Sequence, residues 1–193
     1  SHVFRILPNS LLGKLTELIM VATSNALDYK FNDFLTQQAK LENSFCGFKQ
    51  KQNGVFLTSS SSIIDSILRC VPQDKKLLSK TFLEPSCGQG AFLLKVIIKA
   101  YLVSSEVTDI SKFIQDKIYF VDVNPEMIKA TMNNISDLFF YLFNQEYKGI
   151  FNGFVSDFTR KNDDPLFKET NLNIPYHTFD FVIGNPAFCM DAF

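Results

Sequence analysis

Four short stretches of the chain carry side chains able to bind and orient a small polar ligand. Leu83-Glu84-Pro85-Ser86-Cys87-Gly88-Gln89-Gly90-Ala91-Phe92 reads as a strand end, a tight glycine turn and a helix start. Glycine at 88 and 90 reaches backbone angles closed to other residues and lets a ligand approach the main chain. By itself such a turn serves helix–sheet packing equally well. Asp122, at the end of an apolar run from Ile118 to Val123, can accept hydrogen bonds from the vicinal hydroxyls of a nucleoside ribose. Alternatively, Asp122 or Asn124 caps the helix that opens at Pro125. Gly88 and Asp122 lie 34 residues apart, against roughly 20 in a dinucleotide fingerprint, which disfavours an NAD site. Asp157, in Val155-Ser156-Asp157-Phe158, can accept a hydrogen bond from an exocyclic amine of adenine, or serve as a solvated turn residue. In Asp180-Phe181-Val182-Ile183-Gly184-Asn185-Pro186-Ala187-Phe188 a buried strand delivers an amide, a proline-fixed backbone and an aromatic ring to one place.

These stretches need a scaffold that gathers them. Beyond Gly54, short β-rich runs alternate with amphipathic helices, the pattern of an α/β domain with a largely parallel sheet. Strands are expected at Thr81 to Leu83, Ile118 to Val123, Phe151 to Val155 and Phe179 to Ile183. Helices are expected around Ile63 to Leu68, over Ala91 to Leu102, and after Pro125 with Ile128, Met132, Ile135, Phe139 and Leu142 on one face. Upstream, Leu11, Leu12, Leu15, Leu18 and Ile19, then Leu27, Phe31, Phe34 and Leu35, recur at helical spacing, with Ser24 or Asn25 placed to start a second helix. The polar stretch Asn43 to Asn53, with Gly47, reads as a linker. The division is therefore a helical segment and linker over 1–53 and the α/β domain over 54–193.

Composition narrows the function. Nineteen Lys plus Arg face 20 Asp plus Glu, a formal charge of −1, and 46% of residues are apolar. That balance excludes a polybasic nucleic-acid-binding arm and suits a packed core. No apolar run approaches the roughly 18 residues of a membrane span, and no leader pattern opens the chain, so a cytoplasmic protein without membrane contact is expected. Cys46, Cys70, Cys87 and Cys189 are widely separated, with only His2 and His177 to join them. Reduced thiols and no metal site are expected. The 21 phenylalanines follow helical spacing and read as core.

Together, Glu84 to Phe92, Asp122 to Pro125, Asp157-Phe158 and Asn185 to Phe188 resemble, in type and order, the motifs of S-adenosylmethionine-dependent amino methyltransferases of the DNA adenine-N6 type. Gly54-Val55-Phe56-Leu57-Thr58 is similar to the cofactor segment that precedes the glycine turn in the gamma-ordered, restriction-modification class. The resemblance covers residues 54–188 and implies a Rossmann-like methyltransferase sheet with S-adenosylmethionine as cofactor. It implies that Thr58, Glu84, Ser86, Cys87, Gly88 and Gly90 hold the methionine moiety, Asp122 the ribose, and Asp157 and Phe158 the cofactor adenine. It implies further that Asn185 and Pro186 accept hydrogen bonds from the amine of a flipped target adenine, on which Phe188 stacks.

Two departures qualify these expectations. Ala187 stands where the family usually has a second proline, and a serine follows Thr58 where proline is common. The sequence ends at Phe193, soon after the Asn-Pro-Ala-Phe motif, so the sheet is expected to be incomplete at its C-terminal side. DNA contact is then expected through a further segment, a larger assembly, or a restriction or specificity partner. Methylation of RNA adenine or of a protein glutamine is an alternative, as is a catalytically incomplete module that binds cofactor or a partner.

Overall fold

The structure, a computed structural model, describes residues 9–44, 58, 60–157 and 179–185, with side chains of the first helix described at 13, 14 and 16–40. Four strands, β1 (Phe82–Glu84), β2 (Ile118–Asp122), β3 (Asn152–Val155) and β4 (Phe181–Val182), form one sheet. All pairs are parallel, in the order β3-β2-β1-β4. The helices are α1 (Asn9–Ser44), α2 (Ser61–Ile67), α3 (Ala91–Val103), α4 (Val107–Lys117) and α5 (Pro125–Phe143). The chain is thus an α/β protein whose sheet grows from β1 through β2 to β3 and then resumes on the other side of β1 as β4. That reversal next to β1 is a topological switch point, where open parallel sheets form a crevice at their carboxyl ends.

Burial explains why β1 is central. Phe82, Leu83 and Glu84 are all buried, as expected for a strand flanked on both sides and covered on both faces. On one face Phe82 stacks on Phe181 at 5.1 Å and meets Phe113 of α4 edge-on at 6.0 Å. Phe120 of β2 fills the same face and faces Gly153 of β3. A Cβ at Gly153 would lie 2.5 Å from the Phe120 ring, so the bare backbone there admits the aromatic. On the other face Leu83 and Val121 are buried, with Tyr119, Phe154 and Phe179 against them.

α3 carries the core. Ala91 to Ile98 and Ala100 are all buried, the pattern of a helix covered all round, and α3 touches α1, α2, α4 and α5. The sequence pattern predicts no element in the connection between α3 and β2. That connection holds α4, which buries Ile110, Phe113 and Ile114 on one face.

The restart expected at Ser24 or Asn25 does not occur, because α1 runs unbroken for 36 residues. The Thr23 hydroxyl donates to the Ile19 carbonyl at 2.8 Å, so a polar side chain that could have served a cap bonds back within the helix instead. Leu27, Phe31 and Leu35 of α1 join the same buried cluster as the sheet and the other helices. Asn43 and Ser44 of the expected linker belong to α1, and 45–53 lie outside the described residues.

Two polar ties fix this arrangement. Asp180 accepts from Lys80 Nζ at 2.8 Å, Thr81 N at 2.9 Å and Thr81 Oγ1 at 3.0 Å, clipping the start of β4 to the start of β1. Lys80 and the Thr81 amide hold its carboxyl down at about 2, so its contribution is present above the ordinary carboxylate value and is lost as pH falls through about 2. Solvent around this pair keeps that contribution small. The second tie is Lys95 of α3, almost buried, which reaches Asp28 of α1 at 2.7 Å and Asp65 of α2 at 3.4 Å. Its ammonium also lies 5.0 Å from the Phe31 ring.

Either aspartate alone still neutralises Lys95, so Asp28→Ala and Asp65→Ala should each cost little. The double variant, which strands a buried ammonium, should lose about 3 kcal/mol or more, well beyond the sum of the singles. Denaturant unfolding of the four proteins in the cycle measures this, and additivity would contradict it.

Candidate functional site

Because all four strands are parallel, their carboxyl ends lie along one edge, and the segments leaving them become neighbours. The register sets who meets whom. Glu84 stands opposite Phe120, and Asp122 opposite Val155, so Asp122 ends β2 one pleat beyond Glu84. β4 pairs through Leu83 and Val182, and the Ile183 amide donates to the Leu83 carbonyl at 2.9 Å. The chain thus runs on beside Glu84, where a Cβ on Gly184 would lie 3.6 Å from Glu84 Cγ. Asn185 follows, exposed at the mouth of the crevice.

The turn between β1 and α3 is held from several sides. The Cys87 amide donates to the Val121 carbonyl at 2.9 Å, and the Gly90 amide to the Cys87 carbonyl at 2.7 Å. Asp122 Oδ2 accepts from the Gly88 amide at 2.9 Å, while Oδ1 accepts from the Asn124 amide at 2.9 Å. Thr131 of α5, fully buried, offers its hydroxyl to the Gly88 carbonyl at 3.0 Å and the Cys87 sulfur at 3.4 Å. Asn134 donates to the Gln89 carbonyl at 2.9 Å. Gly88 and Gly90 take φ of 53° and 83°, and a Cβ on Gly90 would come within 2.8 Å of Thr131 Cγ2. The turn therefore needs glycine at 90 both for its backbone angle and for its fit against α5.

Asp122 thus serves the turn directly, and the cap before Pro125 falls to Asn124, whose Oδ1 accepts from the Glu126 amide at 2.9 Å. Each carboxylate oxygen of Asp122 keeps acceptor capacity beyond its one amide. Asp157 lies just past β3, and the Ser156 amide donates to the Asp122 carbonyl at 3.0 Å, which ties the two strand ends together.

Thr58, Glu84, Ser86, Cys87, Gly88 and Asn185 line one small cavity of about 20 Å³, to which α1 adds Gln38. Of the residues expected at the site, Asp122 joins this group through the Gly88 amide, whereas Asp157 is not among the lining residues. Gly90 is likewise not among the lining residues and packs against Thr131. Phe158, Pro186 and Phe188 lie outside the described residues. Gln38, Thr131 and Asn134 were not read from the sequence, although Gln38 continues the buried stripe of Leu27, Phe31 and Leu35 and Thr131 that of Ile128 and Ile135. Polar residues in register with an apolar stripe are the signal that could have found them.

Electrostatics single out Glu84. It is only 2% exposed, and its Oε2 has no hydrogen-bond partner. Burial pushes its carboxyl well above the ordinary carboxylate range, the Asp122 charge adds to the rise, and the Leu93 amide opposes it. Burial likewise drives the Cys87 thiol far up, so this sulfur stays a neutral packing group at neutral pH and is no nucleophile. Among the described residues no cluster of His, Cys, Asp and Glu could hold a metal ion, and no helix is long and apolar enough to cross a membrane.

No known family model matches the chain, and no curated protein sequence matches it.

The folded protein holds a proton on Glu84 more tightly than the unfolded chain does. Stability should therefore fall as pH rises from the ordinary carboxylate value of about 4.3 through the raised folded value. Glu84→Gln should flatten that slope and be the more stable protein at neutral pH, as thermal unfolding across this range will measure; parallel profiles would refute it. For the thiols, exposed Cys70 should be alkylated by iodoacetamide long before buried Cys87, which peptide mass mapping over time will check.

Proposed function

We propose that this chain is the cofactor-binding and catalytic region of an S-adenosylmethionine-dependent methyltransferase acting on the exocyclic N6 of adenine in DNA. The observation that carries this reading is the convergence of Glu84, the Ser86–Gly88 turn and Asn185 on one cavity at the switch point, with Asp122 bonded into the same turn. The donor set also fits the group. A cationic, amine-bearing ligand answers the buried Glu84 oxygen that has no partner, and the hydroxyls of a ribose suit a carboxylate such as Asp122.

When bound, S-adenosylmethionine supplies a methyl group on a positively charged sulfur, already activated for transfer. The protein's task is then placement. Glu84 and the turn, stiffened by Thr131 and Asn134, fix one end of the ligand, and Asp122 holds hydroxyls while retaining its two backbone amides. Asn185, at the open end of the cavity, and the carbonyl of Pro186 accept hydrogen bonds from the target amine. Those bonds draw the nitrogen lone pair out of conjugation with the ring and aim it. The amine's surplus proton leaves to solvent, so no strong base is needed, and orientation supplies much of the acceleration. Phe188 gives the extruded base a surface to stack on. With a net charge of −1, the phosphate contacts that dominate DNA affinity fall to a further segment or a specificity partner.

Transfer of labelled methyl groups from S-adenosylmethionine should be measured with adenine-containing duplex DNA, RNA and protein acceptors, in the presence of any DNA-recognition partner. DNA is expected to be labelled at N6, and labelling of RNA or of a glutamine amide instead would redirect the reading. Asn185→Ala should cut kcat by about 100-fold or more, the scale of losing one aimed polar contact to a reacting group, while weakening cofactor binding far less. An equal loss of cofactor binding would place Asn185 in the wrong role.

A further inference from the structure

Four polar or charged residues are buried among the described ones: Gln38, Glu84, Lys95 and Thr131. Lys95 is paired with Asp28 and Asp65, and Thr131 with the glycine turn. The other two are not fully satisfied. Gln38 Oε1 and Glu84 Oε2 are buried oxygens without any hydrogen-bond partner, and both residues line the same cavity of about 20 Å³. An unpartnered buried acceptor is costly and rare in native proteins. Two on one cavity call for a single group that donates to both. A space of that size holds one water-sized group, and of the groups that donate to two oxygens at once an ammonium adds a positive charge beside the carboxyl of Glu84.

Gln38 arrives from an unexpected direction. It lies on α1, outside every motif at the strand ends, and is 1% exposed. Its position is held by the stripe Leu27, Phe31 and Leu35, packed in the common core, and by the Lys95 tie to Asp28. Helical spacing brings residue 38 round to the same face as 27, 31 and 35. A leucine would continue that stripe, yet a carboxamide stands there and faces the end of β1.

Resting on the cofactor reading above, we infer that α1 is a wall of the ligand site and that Gln38, with Glu84, receives the α-ammonium of the cofactor's methionine end. The N-terminal helix thereby selects ligands that carry an amino-acid end over those that carry only the nucleoside. An ammonium with three N–H donors satisfies both oxygens at once and still has one donor for the surrounding backbone.

The test is calorimetric titration of the full chain and of Gln38→Leu and Gln38→Glu with S-adenosylmethionine and with 5′-methylthioadenosine, which keeps the nucleoside and lacks the amino-acid end. Gln38→Leu should bind S-adenosylmethionine about tenfold to a hundredfold more weakly, the scale of one hydrogen bond to a charged group. Its affinity for methylthioadenosine should stay within about twofold, too small a change to represent a lost hydrogen bond. Gln38→Glu should recover or exceed the original affinity for S-adenosylmethionine. Circular dichroism confirms folding, and Gln38→Leu should melt no lower than the unmodified chain, since it replaces an unsatisfied polar group. Equal weakening toward both ligands, or none toward either, overturns the role of Gln38 while leaving the cofactor reading intact. If the unmodified chain binds neither ligand, the cofactor reading falls and this inference with it.

Discussion

A carboxyl group buried at the end of the central strand, with one oxygen unpaired, is the constraint around which the rest of this structure is arranged. Water would solvate Glu84 far better than its pocket does, and the free protein bears that cost because β1 must be covered on both faces to act as the middle of the sheet. The strand cannot end anywhere else: Phe82 is locked between Phe113 and Phe181, and the Asp180 clip fixes the start of β4 against the start of β1. A buried polar group without a partner is rare in native proteins, and each one calls for a physical explanation. Under the proposed function, a cationic ligand supplies the partner that Glu84 Oε2 lacks.

Around that carboxyl the fold supplies rigidity rather than charge. The glycine turn hangs from α5 through Thr131 and Asn134 and from β2 through Asp122 and the Val121 carbonyl. A turn so fastened keeps its amides in place before a ligand arrives, which lowers the ordering cost of binding. α1 closes the arrangement from a third side. Its attachment through Lys95, Asp28 and Asp65 makes an element remote from the sheet motifs part of the same body as the site.

Much of this was legible in the sequence, and the gaps have physical causes. The alternation of short apolar runs with amphipathic helices gave the parallel sheet, because each strand bore a glycine, Asn-Pro or Asp signal at its carboxyl end. Helix α4 was missed because it buries only Ile110, Phe113 and Ile114, and its last residue, Lys117, abuts β2 with no glycine or proline between them. The continuity of α1 was misjudged because Ala22-Thr23-Ser24-Asn25 reads as a cap by residue type. Whether such residues cap or bond backward is decided by tertiary packing of the helix that follows, here through Leu27 and Phe31. The double duty of Asp122 was hidden for another reason: its partner, the Gly88 amide, lies far away in sequence and meets it only through strand register. Gln38 stayed invisible because a single polar residue on an apolar stripe gains meaning only when what it faces is known.

The most direct test of this account is calorimetric titration of the chain and of Glu84→Gln with S-adenosylmethionine. An ammonium set against Glu84 Oε2 gains a charge partner that an amide cannot supply, so the account predicts binding by the unmodified chain that is at least about tenfold weaker in Glu84→Gln. Equal binding by Glu84→Gln, or no binding by the folded chain, would contradict it.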